Sequence, residues 1–148
     1  MLGRLVTVTA MLAGFIALPA QALEFRSVKE TGVALYESPS LAAKKLFVVS
    51  RYYPVEVMSR QNEWARVRDA SGGIAWVQYA SLSPQRTVVV TAAAVDVRAE
   101  PSAGSALVFR ADKDVVLELL EPPKSGWVKL KHRDNQSGYA PISALWGL

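Results

Sequence analysis

The stretch Ser125-Gly126-Trp127-Val128-Lys129-Leu130-Lys131 decides the fold. A turn of small residues is followed by a tryptophan and then by apolar and basic residues in alternation. Alternation with a period of two is typical of a β-strand with one buried face. If Val128 and Leu130 point into a core, Trp127 begins the strand on its opposite face.

An earlier stretch, Trp64-Ala65-Arg66-Val67-Arg68, has the same design, and its tryptophan lies 63 residues before Trp127. The match extends over both flanks, with one extra residue in the turn before Trp127, where insertions are tolerated best. The chain is therefore predicted to be a tandem repeat. Matched positions are Val33 with Val95, Pro39 with Pro101, Ser40 with Ser102, Phe47 with Phe109, Glu56 with Glu118, Val67 with Leu130, Trp76 with Tyr139 and Leu82 with Leu145.

The composition narrows the class of protein. The chain has 148 residues and no cysteine, which excludes disulfides and thiolate metal sites. Its formal net charge of +4 comes from 17 basic and 13 acidic residues that are dispersed. Dispersed charge indicates a soluble surface rather than a nucleic-acid footprint. Two domains of about sixty residues each are small, so we expect them to pack on each other.

The first 22 residues have the pattern of a signal peptide. A short segment carrying Arg4 precedes the apolar run 5–18, and Ala20-Gln21-Ala22 follows as an A-x-A cleavage site. The run is shorter than the ~20 residues that span a bilayer. We expect cleavage after Ala22, export to a bacterial periplasm and no stable membrane anchor afterwards. Nucleic acid is then not expected as a partner.

The rest of the chain predicts an all-β protein. Short strands are separated by Gly, Pro and Ser turns, and no amphipathic helix of ten residues is present. The predicted domains are residues 23–83 and 87–148, joined by the linker 84–86. Tyr52-Tyr53-Pro54 is predicted to be a turn with exposed aromatic rings.

The second repeat carries motifs of a known family. They are Val95-Asp96-Val97-Arg98-Ala99-Glu100-Pro101-Ser102, Gly126-Trp127-Val128-Lys129-Leu130, and Gly138-Tyr139-Ala140 with Leu145. In this order they resemble the bacterial SH3 domain. The resemblance covers residues 87–146 and, more loosely, 25–83. It implies two tandem small SH3-like β-barrels, each of five strands, that serve as binding or targeting modules of the cell envelope.

The first repeat departs from the family pattern at two glycine positions. Glu63 stands where a glycine precedes the tryptophan, and Ala75 stands where a glycine precedes the aromatic Trp76. The internal repeat nevertheless supports the same fold for both halves.

Catalysis is not expected. His132 is the only histidine, and it lies in a charged loop that reads as a solvated hairpin tip. A serine triad would need it as the base, and no G-x-S-x-G turn is present. A histidine metal site needs more than one histidine, and no EF-hand loop is found. The sequence therefore predicts a protein that is not an enzyme, with no catalytic residues, no metal site and no cofactor.

Aromatic residues are the candidates for ligand contact, because their faces bind sugar rings and peptide prolines. Trp64 and Trp127 either pack on their domains or stack on a ligand. Tyr52 and Tyr53 have no aromatic counterpart in the second repeat, and Arg98 replaces Tyr36, so the fold needs these rings less. The ligand-binding candidates are Tyr36, Tyr52, Tyr53, Trp76 and Tyr139.

Four basic residues alternate along the tryptophan strands. Arg66, Arg68, Lys129 and Lys131 form either a solvated face or a surface that attracts anionic wall polymers.

The resemblance and the predicted compartment together favour non-catalytic binding of cell-wall peptidoglycan or its stem peptides. The alternative is a protein–protein adaptor that docks an envelope protein. An enzyme that turns over wall fragments is a third class, and nothing in the sequence favours it.

Overall fold

The computed structural model describes residues 22–148. The predicted signal peptide, residues 1–22, therefore lies outside the described residues except for Ala22. No helix among the described residues is long and apolar enough to cross a membrane.

The first half of the chain forms one antiparallel sheet of seven strands. The strands are β1 (Glu24–Val28), β2 (Val33–Tyr36), β3 (Lys45–Val49), β4 (Pro54–Gln61), β5 (Trp64–Arg68), β6 (Ile74–Gln78) and β7 (Leu82–Ser83), with a 3-10 turn at Tyr79–Ser81. Their order in the sheet is β3-β2-β6-β5-β4-β1-β7.

The second half repeats this arrangement strand for strand. The strands are β8 (Thr87–Val90), β9 (Ala94–Arg98), β10 (Leu107–Asp112), β11 (Val116–Leu119), β12 (Trp127–Lys131), β13 (Ser137–Pro141) and β14 (Leu145–Trp146), with a 3-10 turn at Ile142–Ala144. The order β10-β9-β13-β12-β11-β8-β14 is that of the first sheet. The predicted fold class is thus confirmed: all-β, with two tandem SH3-like domains.

Each sheet has two strands more than the resemblance implied. In the first sheet, the lead-in strand β1 pairs with β4 on one side and with the two-residue strand β7 on the other. In the second sheet, β8 pairs with β11 and β14 in the same way. The additional pairings come from the segments that enter and leave each domain.

The alternation read in the tryptophan strand places its side chains as predicted. Val128 and Leu130 are buried, while Trp127 and Lys129 are half-buried on the other face of β12. Inward-facing residues of all strands meet in one apolar cluster per domain. In the first domain Val49 of β3 and Leu82 of β7 pack on the same cluster although these strands lie at opposite ends of the sheet. The sheet is therefore rolled around its core.

Strands β3 and β10 each form one edge of their sheet, opposite β7 and β14, and each carries a β-bulge at the same place. Leu46 is the extra residue opposite β2, and Val108 is the extra residue opposite β9. A bulge bends the strand and increases its twist.

The segment Tyr52-Tyr53-Pro54 differs from the prediction of a turn with exposed aromatic rings. The turn ends with a hydrogen bond from the Tyr53 amide to the Ser50 carbonyl (3.2 Å), so Pro54 already begins β4 and is buried. Both tyrosine rings are half-buried, because Tyr53 packs against the first core and Tyr52 lies at the junction of the domains.

The junction is held by polar and aromatic contacts around the linker. The guanidinium of Arg86 donates to the Gly147 carbonyl (2.8 Å) and lies 5.3 Å from the ring of Phe25. Phe25 in turn meets Trp146 edge-on, with ring centroids 5.2 Å apart. The Thr87 hydroxyl donates to the Tyr52 carbonyl (2.6 Å). These contacts tie both ends of the second domain to the first.

Candidate ligand-binding surfaces

The turn before Trp127 fixes where this ring is presented. The amide and carbonyl of Lys124 pair with those of Trp127 at 2.8 and 3.0 Å. The two residues between them, Ser125 and Gly126, have φ of 52° and 84°. Two consecutive positive φ values are typical of the type I′ turn that suits a tight hairpin. Trp127 therefore enters β12 directly from a rigid turn, with its ring on the outer face.

A groove of about 400 Å³ lies on this outer face of the second domain. Trp127, Lys129 and Tyr139 form its floor from the neighbouring strands β12 and β13. The Lys129 ammonium lies 3.4 Å from a carboxylate oxygen of Glu121 and 5.8 Å from the centroid of Tyr139. The remaining lining residues are Pro101, Pro122, Lys124 and Ser125.

Arg98 lies beside the groove but turns away from it. It is the backbone partner of Tyr139 across β9 and β13. Its guanidinium donates to the Ser105 carbonyl (2.9 Å) and to the Asp96 carboxylate (3.2 Å). Arg98 does not line the groove, so the faces of Trp127 and Tyr139 stay accessible.

The equivalent face of the first domain is filled by its own aromatic rings. Tyr36 occupies the place of Arg98 and is the backbone partner of Trp76. Its ring meets Trp64 edge-on, with centroids 5.4 Å apart and planes at 89°. Only 9% of Tyr36 is exposed. Among the five candidates, Tyr36 and Trp76 are therefore neighbours on adjacent strands. The Tyr36 ring packs against Trp64 and is not available to a ligand.

Tyr52 and Tyr53 lie away from this face, next to the second domain. Tyr52 has a φ of 71°, which is rare for a bulky residue, and Arg51 stacks over its ring at 4.6 Å. The Tyr53 hydroxyl accepts a hydrogen bond from the Ala70 amide (3.4 Å). Burial raises the pKa of the Tyr53 hydroxyl, the Ala70 hydrogen bond lowers it by less, and the nearby carboxylates of Asp69 and Asp114 raise it further.

Most of the alternating basic residues are paired with carboxylates. Arg68 lies 3.2 Å from Glu56, and Lys131 lies 3.1 Å from Glu118, at equivalent places in the two domains. Lys129 is paired with Glu121, whereas Arg66 has no carboxylate partner within the described residues. The two lysine pairs are partly exposed, and such pairs contribute little to stability, about 0–1 kcal/mol, whereas the Glu56 side chain is buried. The pairing favours a solvated charged face over a strong anion-attracting surface.

His132 lies at the start of a hairpin turn as predicted, but its side chain is half-buried rather than solvated. Its amide donates to the Gln136 carbonyl (2.8 Å), its Nδ1 lies 3.0 Å from Asp134, and its ring lies 5.7 Å from Phe109. The pKa of the Asp134 carboxyl is lowered, first by the hydrogen bond from the Gln136 amide and then by His132. Within residues 22–148, no group of three or more His, Cys, Asp or Glu residues is placed to hold a metal ion.

A second cavity, of about 450 Å³, lies between the domains and was missed by the reading of the sequence. The first domain contributes Ser50, Arg51 and Tyr52, and the second contributes residues of the turns around Asp114 and Arg133. A sequence signal did exist, because Tyr52 and Asp114 are equivalent repeat positions with different chemistry. The pattern alone could not show that both turns face the same space.

Two family models, both of the bacterial SH3 domain, match residues 31–83 and 91–147. The chain belongs to the bacterial SH3 domain family. Bacterial SH3 domains often bind cell-wall material. The open groove with Trp127 and Tyr139 lies in the second of the two domains.

Solved structures similar to this bacterial SH3 pair include two proteins from Trichomonas vaginalis. NlpC2 is 19% identical, with a TM-score of 0.39 over 86% of this chain and 49% of its own. NlpC1 is 20% identical, with a TM-score of 0.38 over 93% of this chain and 50% of its own. The chain thus spans about half the length of these solved chains. No curated protein matches the sequence significantly.

Proposed function

We propose that this chain is a non-catalytic binding protein of the bacterial envelope that recognises peptidoglycan or its stem peptides. The observation that carries the proposal is the open aromatic groove of the second domain, in a family whose members often bind cell-wall material.

The chemistry of the groove suits such a ligand. The faces of Trp127 and Tyr139 offer flat apolar surfaces on which a sugar ring or a peptide can stack with little loss of side-chain entropy. Lys129 and Glu121 present an ammonium and a carboxylate 3.4 Å apart at the same groove. Stem peptides carry groups of both signs, and these can replace the contact between Lys129 and Glu121 with contacts of their own.

Two further features support the proposal. The predicted signal peptide, with cleavage after Ala22, would bring the mature chain to the periplasm, where the wall is found. The single histidine, His132, lies in a hairpin turn beside Asp134 rather than at the groove, which supports binding without catalysis.

The test is co-sedimentation of residues 23–148 with purified peptidoglycan sacculi at low and moderate salt. We expect pelleting that persists at moderate salt and falls at least tenfold in apparent affinity for Trp127→Ala, since a buried stacking ring contributes about 1–3 kcal/mol. Phe47→Ala, which removes an exposed ring on β3 of the first domain, is the matched control and should pellet like the unchanged chain. Absence of pelleting at both salt concentrations would contradict the proposal.

A protein–protein adaptor is the second candidate, and an exposed apolar strip favours it. On the edge strand β3, Phe47 is 52% and Val48 is 66% exposed, and on the edge strand β10 Leu107 is 55% exposed. Crosslinking in envelope extracts that captures one protein, and that is lost in Phe47→Ala but kept in Trp127→Ala, would support this candidate instead.

A further inference from the structure

The cavity between the domains differs in character from the aromatic groove. One wall is the turn Ser50–Tyr52 of the first domain. The other wall comes from the second domain, at the turn around Asp114 and the hairpin that carries Arg133 and Asn135. Its volume of about 450 Å³ falls within the 300–1,000 Å³ that is usual for small-molecule sites.

Some of the charged residues that line this cavity neutralise each other. Lys131 lies 3.1 Å from Glu118, so this pair leaves no net charge. His132 has Asp134 at 3.0 Å as its partner. Neither pair is free to balance the charge of a ligand without first breaking its own contact.

Three charges remain without an opposite partner. Among the described residues, Arg51, Arg133 and Asp114 have no ion pair within 4 Å. Arg51 belongs to the first domain, and Arg133 and Asp114 belong to the second. The cavity thus offers two free guanidinium groups from opposite walls and one free carboxylate.

The backbone at this cavity is strained on one side. Tyr52 and Asp114 are equivalent repeat positions with φ of 71° and 70°. An aspartate tolerates this left-handed conformation, whereas a tyrosine rarely adopts it. Tyr52 is held there by hydrogen bonds from its amide to the Val28 carbonyl (2.8 Å) and from the Thr87 hydroxyl to its own carbonyl (2.6 Å). The amide of Asp114 donates to the Val90 carbonyl (2.9 Å) in the same way, so this conformation belongs to the repeated turn.

We propose that the cavity between the domains binds a zwitterionic peptide end, with its carboxylate between Arg51 and Arg133 and its ammonium at Asp114. Guanidinium groups bind carboxylates through paired, charge-assisted hydrogen bonds. Tyr52, with Arg51 stacked on its ring, forms an aromatic side of the site. This site is separate from the groove of Trp127 and does not rest on the proposed wall binding.

The test is a titration of isotope-labelled residues 23–148, which contain both complete domains, followed by NMR amide shifts. Three probes separate the charges: the dipeptide γ-glutamyl-lysine, glutarate with carboxylates alone, and cadaverine with ammonium groups alone. We expect the dipeptide to shift the amides of residues 50–52, 114–116 and 131–135. Glutarate should shift them at about tenfold higher concentration, and cadaverine should leave them unchanged.

Two variants make the assignment specific. Arg51→Gln with Arg133→Gln should abolish the shifts from both carboxylate probes, while Lys44→Gln with Lys45→Gln, at the other end of β3, should leave them intact. Asp114→Asn keeps a residue that tolerates positive φ and removes the charge. It should weaken the dipeptide about tenfold and strengthen glutarate.

Several outcomes would overturn the proposal. These are unchanged cavity amides with every probe, equal shifts in the folded Arg51→Gln/Arg133→Gln variant, or equal losses for the dipeptide and glutarate in Asp114→Asn. The cavity site is read from the shifts of residues 50–52, 114–116 and 131–135, and the groove is read from sacculus pelleting of Trp127→Ala. Failure of this site and failure of the wall-binding groove are therefore distinguishable.

Discussion

The two domains share one strand order and differ most on the outer face of the tryptophan hairpin. In the first domain Tyr36 packs edge-on against Trp64, and in the second Arg98 turns toward Ser105 and Asp96 beside an open groove. The core positions beneath are apolar in both. The comparison teaches that the fold requires apolar side chains only on the inner face of the sheet. The residue at one position of the second strand of each domain, Tyr36 or Arg98, decides whether the outer face is filled or open.

The same strands also approach each other differently in the two domains. A β-carbon on Gly138 would lie 2.5 Å from the carbonyl oxygen of Arg98, closer than any real contact of this kind. The equivalent position in the first domain is Ala75, whose methyl group is buried there. Strand β13 therefore lies tighter against β9 than β6 lies against β2.

The largest expected effect tests the close approach of the backbone of β9 to Gly138. Gly138→Ala should lower the free energy of unfolding of the second domain by about 3 kcal/mol, because its methyl group must displace the backbone of β9. The reverse change, Ala75→Gly, should cost the first domain only about 1 kcal/mol, from chain entropy and one lost methyl group. Native-state hydrogen exchange, read separately for each domain, measures both values. Equal costs in the two domains would show that the close approach at Gly138 is unimportant.

An intermediate effect is expected from exchanging the residues that fill or open the outer face. Arg98→Tyr should let a ring pack on Trp127 and weaken sacculus binding about tenfold, which corresponds to about 1.4 kcal/mol. Arg98→Leu removes the same hydrogen bonds without supplying a ring, and it should bind more tightly than Arg98→Tyr. Tyr36→Arg is the reciprocal change and should expose Trp64 and Trp76. If Arg98→Leu and Arg98→Tyr bind equally weakly, filling of the groove is not the cause.

The smallest expected effect is a loss of stability of the first domain at alkaline pH. It depends on Tyr53, whose counterpart in the second domain, Val115, cannot ionise. Burial raises the pKa of Tyr53 above its usual value of 10.0, so the folded state favours the neutral hydroxyl. The unfolded chain ionises first, and the stabilisation is therefore complete below pH 10 and is lost as the pH rises further. Hydrogen exchange between pH 9 and 11 should show a steeper loss in the first domain. Tyr53→Phe should remove that excess, and a slope that persists in this variant would contradict the assignment.

Much of the fold could be predicted from local patterns. The alternation in Trp127–Lys131 gave the buried face of β12, because inward and outward positions follow directly from the two-residue period of a strand. The repeat predicted the same fold for both domains. The one extra residue before Trp127 does not disturb the match, since it lies in a turn, and turns tolerate insertions. The turn at Asp69–Gly73, which is rich in small residues, is closed by three hydrogen bonds to the Asp69 side chain.

The site was harder to predict because it depends on contacts distant in sequence. Tyr139 was a candidate and lines the groove, but nothing local shows that Glu121 lies 3.4 Å from Lys129. The depth of Tyr52 and Tyr53 was misjudged, since a turn next to a proline reads as exposed. Their burial arises from the first core and from the second domain, and a local pattern contains neither.

The bulges at Leu46 and Val108 affect whether one copy of the chain can pair with the edge strand of another copy. An edge strand with unpaired amides and exposed apolar side chains is a template for further strands, and Phe47 and Val48 would otherwise make β3 such a template. A bulge interrupts the even spacing that an added strand needs and twists the edge out of plane. The bulges therefore oppose the addition of a further strand, from another copy of the chain, to the apolar strip on each domain.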